Sequence, residues 1–304
     1  MLVDDFFQQL QVRTLHIVTD TLEINEAVRA HGFGNTSLFP AFDFKANHLP
    51  VLWLISDYET QYQMRDLWGE TGGIVIQVTE SKAGGDAKTL DYTLRHLLAV
   101  KDYTQLLDKR TEYYDKLLSY NAVNVHTPNA SLECYINEEE VEIASHEREL
   151  ESGHLYSLAE FFKASIINMS HPISTFRLEG EVTFDALLHQ TNFPELKQAT
   201  LPRMQKFHSL ALQGNNRLSF TENRIIQMIL GGVNVTDELL ALTSEREWET
   251  TATELAIGLV DIVPDWHLNT LFHQCVSGVH IGMGMGEKIP FIDFIAKQAN
   301  FEFL

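Results

Sequence analysis

Several things are scarce in this chain, and each shortage narrows what it can be. Of 304 residues only Cys134 and Cys275 are cysteines. That is too few for a disulfide framework, so a reducing, cytoplasmic compartment is expected. No apolar run approaches the roughly 20 residues needed to cross a bilayer. The opening MLVDDFFQQLQVR has no basic head followed by an apolar core, so no secretory signal is expected. Positive charge is also short. Lys and Arg number 22 against 42 Asp and Glu, a formal net charge of -20, which argues against a nucleic-acid surface and against an anionic membrane. Basic or neutral partners suit that balance, a Lys/Arg-bearing peptide among them, although a solvated acidic surface is the commoner explanation. Low-complexity segments and fixed-period repeats are absent from the sequence.

What is present is an ordinary globular composition, 44% apolar and 21% charged, long enough for two domains or one large one. The first third alternates strand and helix signals. Val12 to Thr19 predicts a strand, Leu22 to His31 a helix stopped by Gly32, and the apolar run Val51 to Ile55 a buried strand. Ser56 and Asp57 open a helix through Trp68, and Gly73 to Thr79 gives a third strand. Strand–helix–strand order implies a small parallel sheet. No glycine fingerprint follows the first strand, so no dinucleotide site is expected. Lys82 to Asp86 is a loop, and Thr89 to Tyr120 is mostly helical with a leucine stripe.

After Tyr120 the pattern changes to two-residue alternation. AVNVHTP, ASLECYI and VEIAS are predicted strands, with Pro128-Asn129 as a turn and Glu138-Glu139-Glu140 as a solvated hairpin tip. STFRLEGEVTFDAL and RLSFTENRIIQMI continue the β signal, the second with a tight turn at Glu222-Asn223. The fold class is therefore α/β: a small N-terminal α/β domain with a short parallel sheet and a helical linker over residues 1–120, then a β-rich α+β domain over 121–304.

Chemistry concentrates between Glu254 and Asp293, which also holds His267, His273 and His280. Imidazoles and carboxylates together suit a divalent metal or a polar substrate. Gly282, Gly284 and Gly286 alternate with bulky residues, leaving one face bare for another backbone or a ligand. The plain alternative is a glycine-bearing strand with surface histidines around it. Elsewhere, His16 fits a hydrogen-bonded core histidine, Ser157 lacks a His-Asp arrangement at a readable spacing, and Cys275 fits a small buried residue. Phe161, Phe162, Phe176, Phe184, Phe193 and Phe207 cluster in the β-rich part and are mostly core, in roughly three cases of four.

VNVHTPNASLECYI resembles a strand–turn–strand of the thermophilic metallo-aminopeptidases, the aminopeptidase T and aminopeptidase S group, to which the 2,5-dihydroxypyridine dioxygenases are related. GHLYSLAEFFKASIIN is similar to that family's Gly-Glu-Val-Phe segment, RLSFTENRIIQM to its late hairpin, and ELAIGL with VHIGMG to its final metal-bearing strands. The resemblance covers about residues 115 to 304 and implies the family's catalytic-domain fold. The N-terminal third is shorter than the family's α/β domain.

Family members hold two metals with two glutamates, two histidines and an aspartate. The resemblance assigns Glu254 to the second glutamate and His280 to one histidine, and keeps Asp293. It places His154 at the first glutamate, with Glu160 as a nearby substitute. The closing His-x-Asp-Phe motif has become Phe291-Ile292-Asp293-Phe294, so a ring without a lone pair replaces an imidazole. Two cations held about 3.5–4 Å apart need every bridging ligand.

The expected protein is thus a non-hydrolytic relative with no cofactor that binds a peptide. It resembles truncated relatives that serve as peptide-binding helpers in crocagin-type ribosomal peptide pathways, and the resemblance also implies a homodimer. The alternative is a metal-dependent enzyme in which His154, Glu254, His280 and Asp293 hold one Zn or Fe(II) for peptide hydrolysis or ring cleavage, with Glu160 as base.

Overall fold

The computed structural model describes residues 1–67, 69–137, 141–144, 147–243 and 250–304. Within that span the first elements are α1 (Val3–Gln11), β1 (His16–Thr19), α2 (Leu22–Ala30), β2 (Thr36–Leu38), β3 (Val51–Ile55), α3 (Tyr58–Arg65), β4 (Val75–Thr79), α4 (Ala87–Ala99) and α5 (Tyr103–Ser119). Then come β5 (Ala122–Thr127), β6 (Ala130–Ile136), β7 (Leu155–Ser157), β8 (Lys163–Ile167), β9 (Phe176–Phe184) and β10 (Ala186–Gln190). The chain continues with α6 (Pro194–Ala211), β11 (Asn216–Thr221), β12 (Arg224–Leu230), β13 (Val233–Asn234), α7 (Thr236–Thr243), β14 (Ala252–Gly258), β15 (Gly278–Met283), β16 (Phe291–Ala296) and β17 (Asn300–Phe303).

Contacts divide the chain into two compact units. The first comprises Met1–Asp108, Glu147–Phe162 and Leu268–Phe272. Its parallel sheet has the order β2-β1-β3-β4-β7, and all of β3 is buried, as an apolar run between two covered faces requires. Asp57 caps α3, its carboxylate accepting the Thr60 N–H at 2.8 Å. Asp86 and Thr89 form a capping box on α4.

The helical stretch expected over Thr89 to Tyr120 is two helices. Val100 leaves the helical region, and Asp102 then accepts the Gln105 N–H at 2.9 Å, starting α5. The segments of the two units interleave along the sequence. Leu155 pairs in parallel with Val75, returning β7 to the first sheet. Thr270 and Leu271 donate to the buried Glu80 at 2.6 and 3.1 Å.

Two further polar groups in this unit bear on function. Glu80 directly follows β4, and burial pushes its carboxyl up to about 7. Asp20 follows β1 and accepts hydrogen bonds from the Ser56 hydroxyl and the Asp57 N–H at 2.9 and 3.0 Å. Ligands of open α/β sheets bind where the strand order reverses, here between β1 and β3. Asp20 takes the donors at that point for itself.

The second unit comprises Lys109–His146, Lys163–His267 and His273–Leu304. One antiparallel sheet has the order β10-β16-β15-β14-β8 and the other β13-β12-β11-β9-β6-β5-β17. Both supply one apolar core: Val125, Leu132, Leu178 and Leu218 from the larger sheet meet Ile166, Leu255, Ile281 and Phe294 from the smaller. Strand alternation thus directs one face of the smaller sheet inward. The hairpin at Glu222-Asn223 is present, with φ of +50° and +65° as a tight primed turn needs.

The six phenylalanines do not form one cluster. Phe161 and Phe162 pack on Phe7 in the first unit at 5.8 and 5.1 Å between ring centroids, whereas Phe176, Phe184 and Phe207 enter the sandwich core. Ile143 in VEIAS makes only an isolated bridge to Ile166. The acidic tip Glu138 to Glu140, the end of VEIAS at Ser145, and Trp68 lie outside the described residues.

Candidate functional site

The face of the smaller sheet turned away from the core carries Lys163 on β8, Glu254 on β14, His280 on β15 and Asp293 on β16. Each is at least nine-tenths buried. Register places them in a row: Glu254 lies opposite Gly282, and Gly282 opposite Asp293. Glu254 owes its position to a bulge. Ala252 enters the core, and the register shift between Ala252 and Glu254 turns the next carboxylate to the opposite face. The Thr253 hydroxyl fixes the bulge by donating to the Gly282 and Gly284 carbonyls at 3.3 and 2.9 Å.

Two charge pairs occupy the row. Lys163 Nζ donates to Glu254 Oε1 at 2.6 Å, with both side chains almost wholly removed from water. Lys163 starts opposite Gly258 on β14, and its long side chain reaches Glu254 farther along the same strand. His280 lies 3.0 Å through Nδ1 from Asp293 Oδ2, and its Nε2 donates to the Val276 carbonyl at 2.7 Å. A carbonyl only accepts, so Nε2 carries a proton, while Nδ1 is committed to the carboxylate. Gly258 makes this possible, because a β-carbon there would sit 1.9 Å from Val276 O and 2.7 Å from His280 Nε2.

The bare face of Gly282 is filled by the neighbouring strand. The Phe291 ring lies over it, 2.6 Å from where a β-carbon would stand. The expectation that something approaches these glycines closely holds, and the approaching body is the aromatic ring of the altered His-x-Asp-Phe motif.

Of the residues assigned to a metal, His280 and Asp293 meet directly and Glu254 shares their face. His154 belongs to the first unit, half exposed, with Nδ1 3.9 Å from Glu151. Glu160 also lies in the first unit, in a short turn after β7; burial lowers the affinity of Lys82 for a proton, and the charge of Glu160 partly opposes that. Among the described residues no group of three or more His, Cys, Asp or Glu side chains is placed to hold a metal ion. The chemistry of the set agrees. Both His280 nitrogens are committed and Glu254 Oε1 already faces an ammonium, which leaves the buried Asp293 Oδ1 as the one oxygen of His280, Asp293 and that ion pair shown without a partner. These residues do not fit the ion that the resemblance implies.

The other candidates have structural surroundings. His16 Nε2 pairs with the Ser37 hydroxyl at 2.9 Å, and burial lowers its affinity for a proton. Ser157 ends β7, and His267 is exposed. His273 is buried edge-on to Trp266, and Cys275 is fully buried. The residue missed in the sequence is Lys163. Its signal was a cation inside the apolar run FFKASII, an expensive placement unless an anion waits opposite.

The chain is similar to two solved structures. Wild-type AmpT from Thermus thermophilus aligns with a TM-score of 0.46 at 10% identity, over 98% of this chain and 98% of that one. The 2,5-dihydroxypyridine dioxygenase from Pseudomonas putida KT2440 aligns with a TM-score of 0.52 at 10% identity, over 98% of this chain and 93% of that one. At such identity the likeness to the dioxygenase is one of fold. No curated protein sequence matches the chain. Among described residues no helix is long and apolar enough to cross a membrane. The family of the crocagin biosynthetic protein CgnE/B matches residues 12–304, nearly the whole chain, and the protein belongs to that family of natural-product biosynthesis proteins.

Proposed function

We propose that this protein binds a peptide without cleaving it, and that the peptide is a precursor or leader in a ribosomal natural-product pathway. The observation that carries the reading is the Lys163–Glu254 pair. In a low-dielectric interior an ammonium at 2.6 Å supplies the positive charge that the carboxylate needs. A divalent ion would have to displace it and pull a proton from His280 as well. Without an ion to polarise water, peptide hydrolysis on this face has no electrophile and no activated nucleophile. Family membership supplies the pathway class, and sheet edges supply the backbone groups by which peptides are commonly held.

Isothermal titration of the full chain with precursor peptides encoded beside its gene, followed by mass spectrometry of each mixture, tests the proposal. Saturable binding with every peptide recovered intact is expected. A shortened peptide, or protein purified without chelators carrying one equivalent of Zn or Fe, overturns it.

A further inference from the structure

On a chain with a net charge of -20, three lysines converge on one cavity of about 330 Å3 in the second unit. Lys109, Tyr113 and Lys116 of α5 line one side of it, and Lys297, Phe301 and Phe303 line another. Tyr113 sits between two cations, with Lys109 Nζ 5.9 Å and Lys116 Nζ 5.5 Å from its ring centre. Lys116 also lies 5.6 Å from the Phe303 ring. Their neutralisation is incomplete. Lys116 is paired with Glu112 at 2.6 Å and Lys297 approaches Asp261 at 3.5 Å, while Lys109 has no carboxylate within ion-pair distance among the described residues.

The cavity adjoins an open strand edge. β17 ends the seven-stranded sheet and, among the described residues, pairs only with β5. Leu304 and Ala122 exchange both backbone hydrogen bonds. In an antiparallel pair such exchange alternates along the strand, so Phe301 and Phe303 turn their N–H and C=O groups away from β5. Their side chains stay packed against the sandwich core beside the lysines. A peptide added to this edge would bond to those two residues and direct alternate side chains toward the cavity.

Resting on the peptide reading above, we propose that β17 receives a peptide strand whose one carboxylate is held by Lys109 and Lys116 over the Tyr113 ring. The surrounding negative field rejects uniformly acidic chains, so the fitting partner is a neutral or basic segment with a single anionic anchor. That anchor is an Asp or Glu side chain, because a strand added along Phe301 and Phe303 directs alternate side chains toward the cavity.

Fluorescence anisotropy with labelled hexapeptides tests it on the full chain. One probe is amidated Lys-Val-Glu-Val-Lys-Val, one replaces Glu by Gln and frees the C-terminus, one has Gln and an amide, and one is the first N-methylated at alternate residues. The amidated Glu probe should bind about tenfold tighter than the Gln-amide probe, N-methylation should abolish binding, and a free-C-terminus Gln probe that binds more tightly than the Glu probe overturns the side-chain anchor. The Lys109→Gln/Lys116→Gln double variant, with melting unchanged, should lose that tenfold preference. Equal binding of all probes, binding of none, or an undiminished preference in the double variant overturns the proposal. If the encoded precursors still bind the double variant fully, this surface is wrong and the peptide reading survives. If no precursor binds the wild type, the reading itself falls.

Discussion

The Phe291 ring covers Gly282 so closely that a β-carbon at position 282 would lie 2.6 Å from two of its ring carbons and 3.0 Å from Glu254 Cβ. Gly282→Ala should therefore cost about 1–3 kcal/mol through overpacking. Combined with Phe291→Ala, the cost should be less than the two single losses together by ~1 kcal/mol or more, because the clash partner is gone. Urea unfolding of the four proteins measures this. Simple additivity would mean that the ring does not rest there.

Lys163 and Glu254 should behave as a unit. Lys163→Met leaves a buried carboxylate alone and Glu254→Met leaves a buried ammonium alone, each costing about 3–5 kcal/mol. Replacing both by Met should recover most of that loss, since no uncompensated charge remains. A double variant as unstable as the worse single variant would show that the pair acts by shape rather than charge.

His280 gives a spectroscopic check. With Nε2 donating to Val276, long-range proton–nitrogen NMR spectra should show that nitrogen protonated and unchanged on addition of Zn. Asp293→Asn keeps a hydrogen-bonding group beside Nδ1 and should cost less than Asp293→Ala, which strands a buried imidazole nitrogen at ~1–3 kcal/mol. An Nε2 signal that moves on Zn addition would restore His280 as a ligand.

Glu80 sets a pH dependence. Burial holds its carboxyl at about 7 in the folded chain against 4.5 ordinarily, so folding takes up a proton. Its contribution is complete below pH 4.5 and declines as pH rises to about 7, by about 3 kcal/mol in total. His189, pushed by burial down to about 3, opposes this trend, its stability contribution being lost as pH falls below 6.5. The clean measurement is thus the difference between Glu80→Gln and wild type. Chemical unfolding across pH 4 to 8 should show the variant gaining steadily on the wild type, and a flat difference would contradict the burial.

The sequence determined local form and the class of the site. Five consecutive apolar residues at Val51–Ile55 could only be a strand covered on both faces, and Glu222-Asn223 between alternating runs could only be a tight turn, because these patterns are written within a few residues. The phenylalanine at position 291, where the resemblance implies an imidazole, was equally legible.

What surrounds these residues in space was not. Lys163 and Glu254 are separated by 91 positions, Leu155 joins β4 across 80 residues, and the Ala252–Glu254 bulge decides which way a carboxylate points. Such pairings depend on register between distant strands, where one residue of slip exchanges the faces, and no local pattern records it. Tertiary structure alone placed an ammonium against Glu254 and a ring over Gly282.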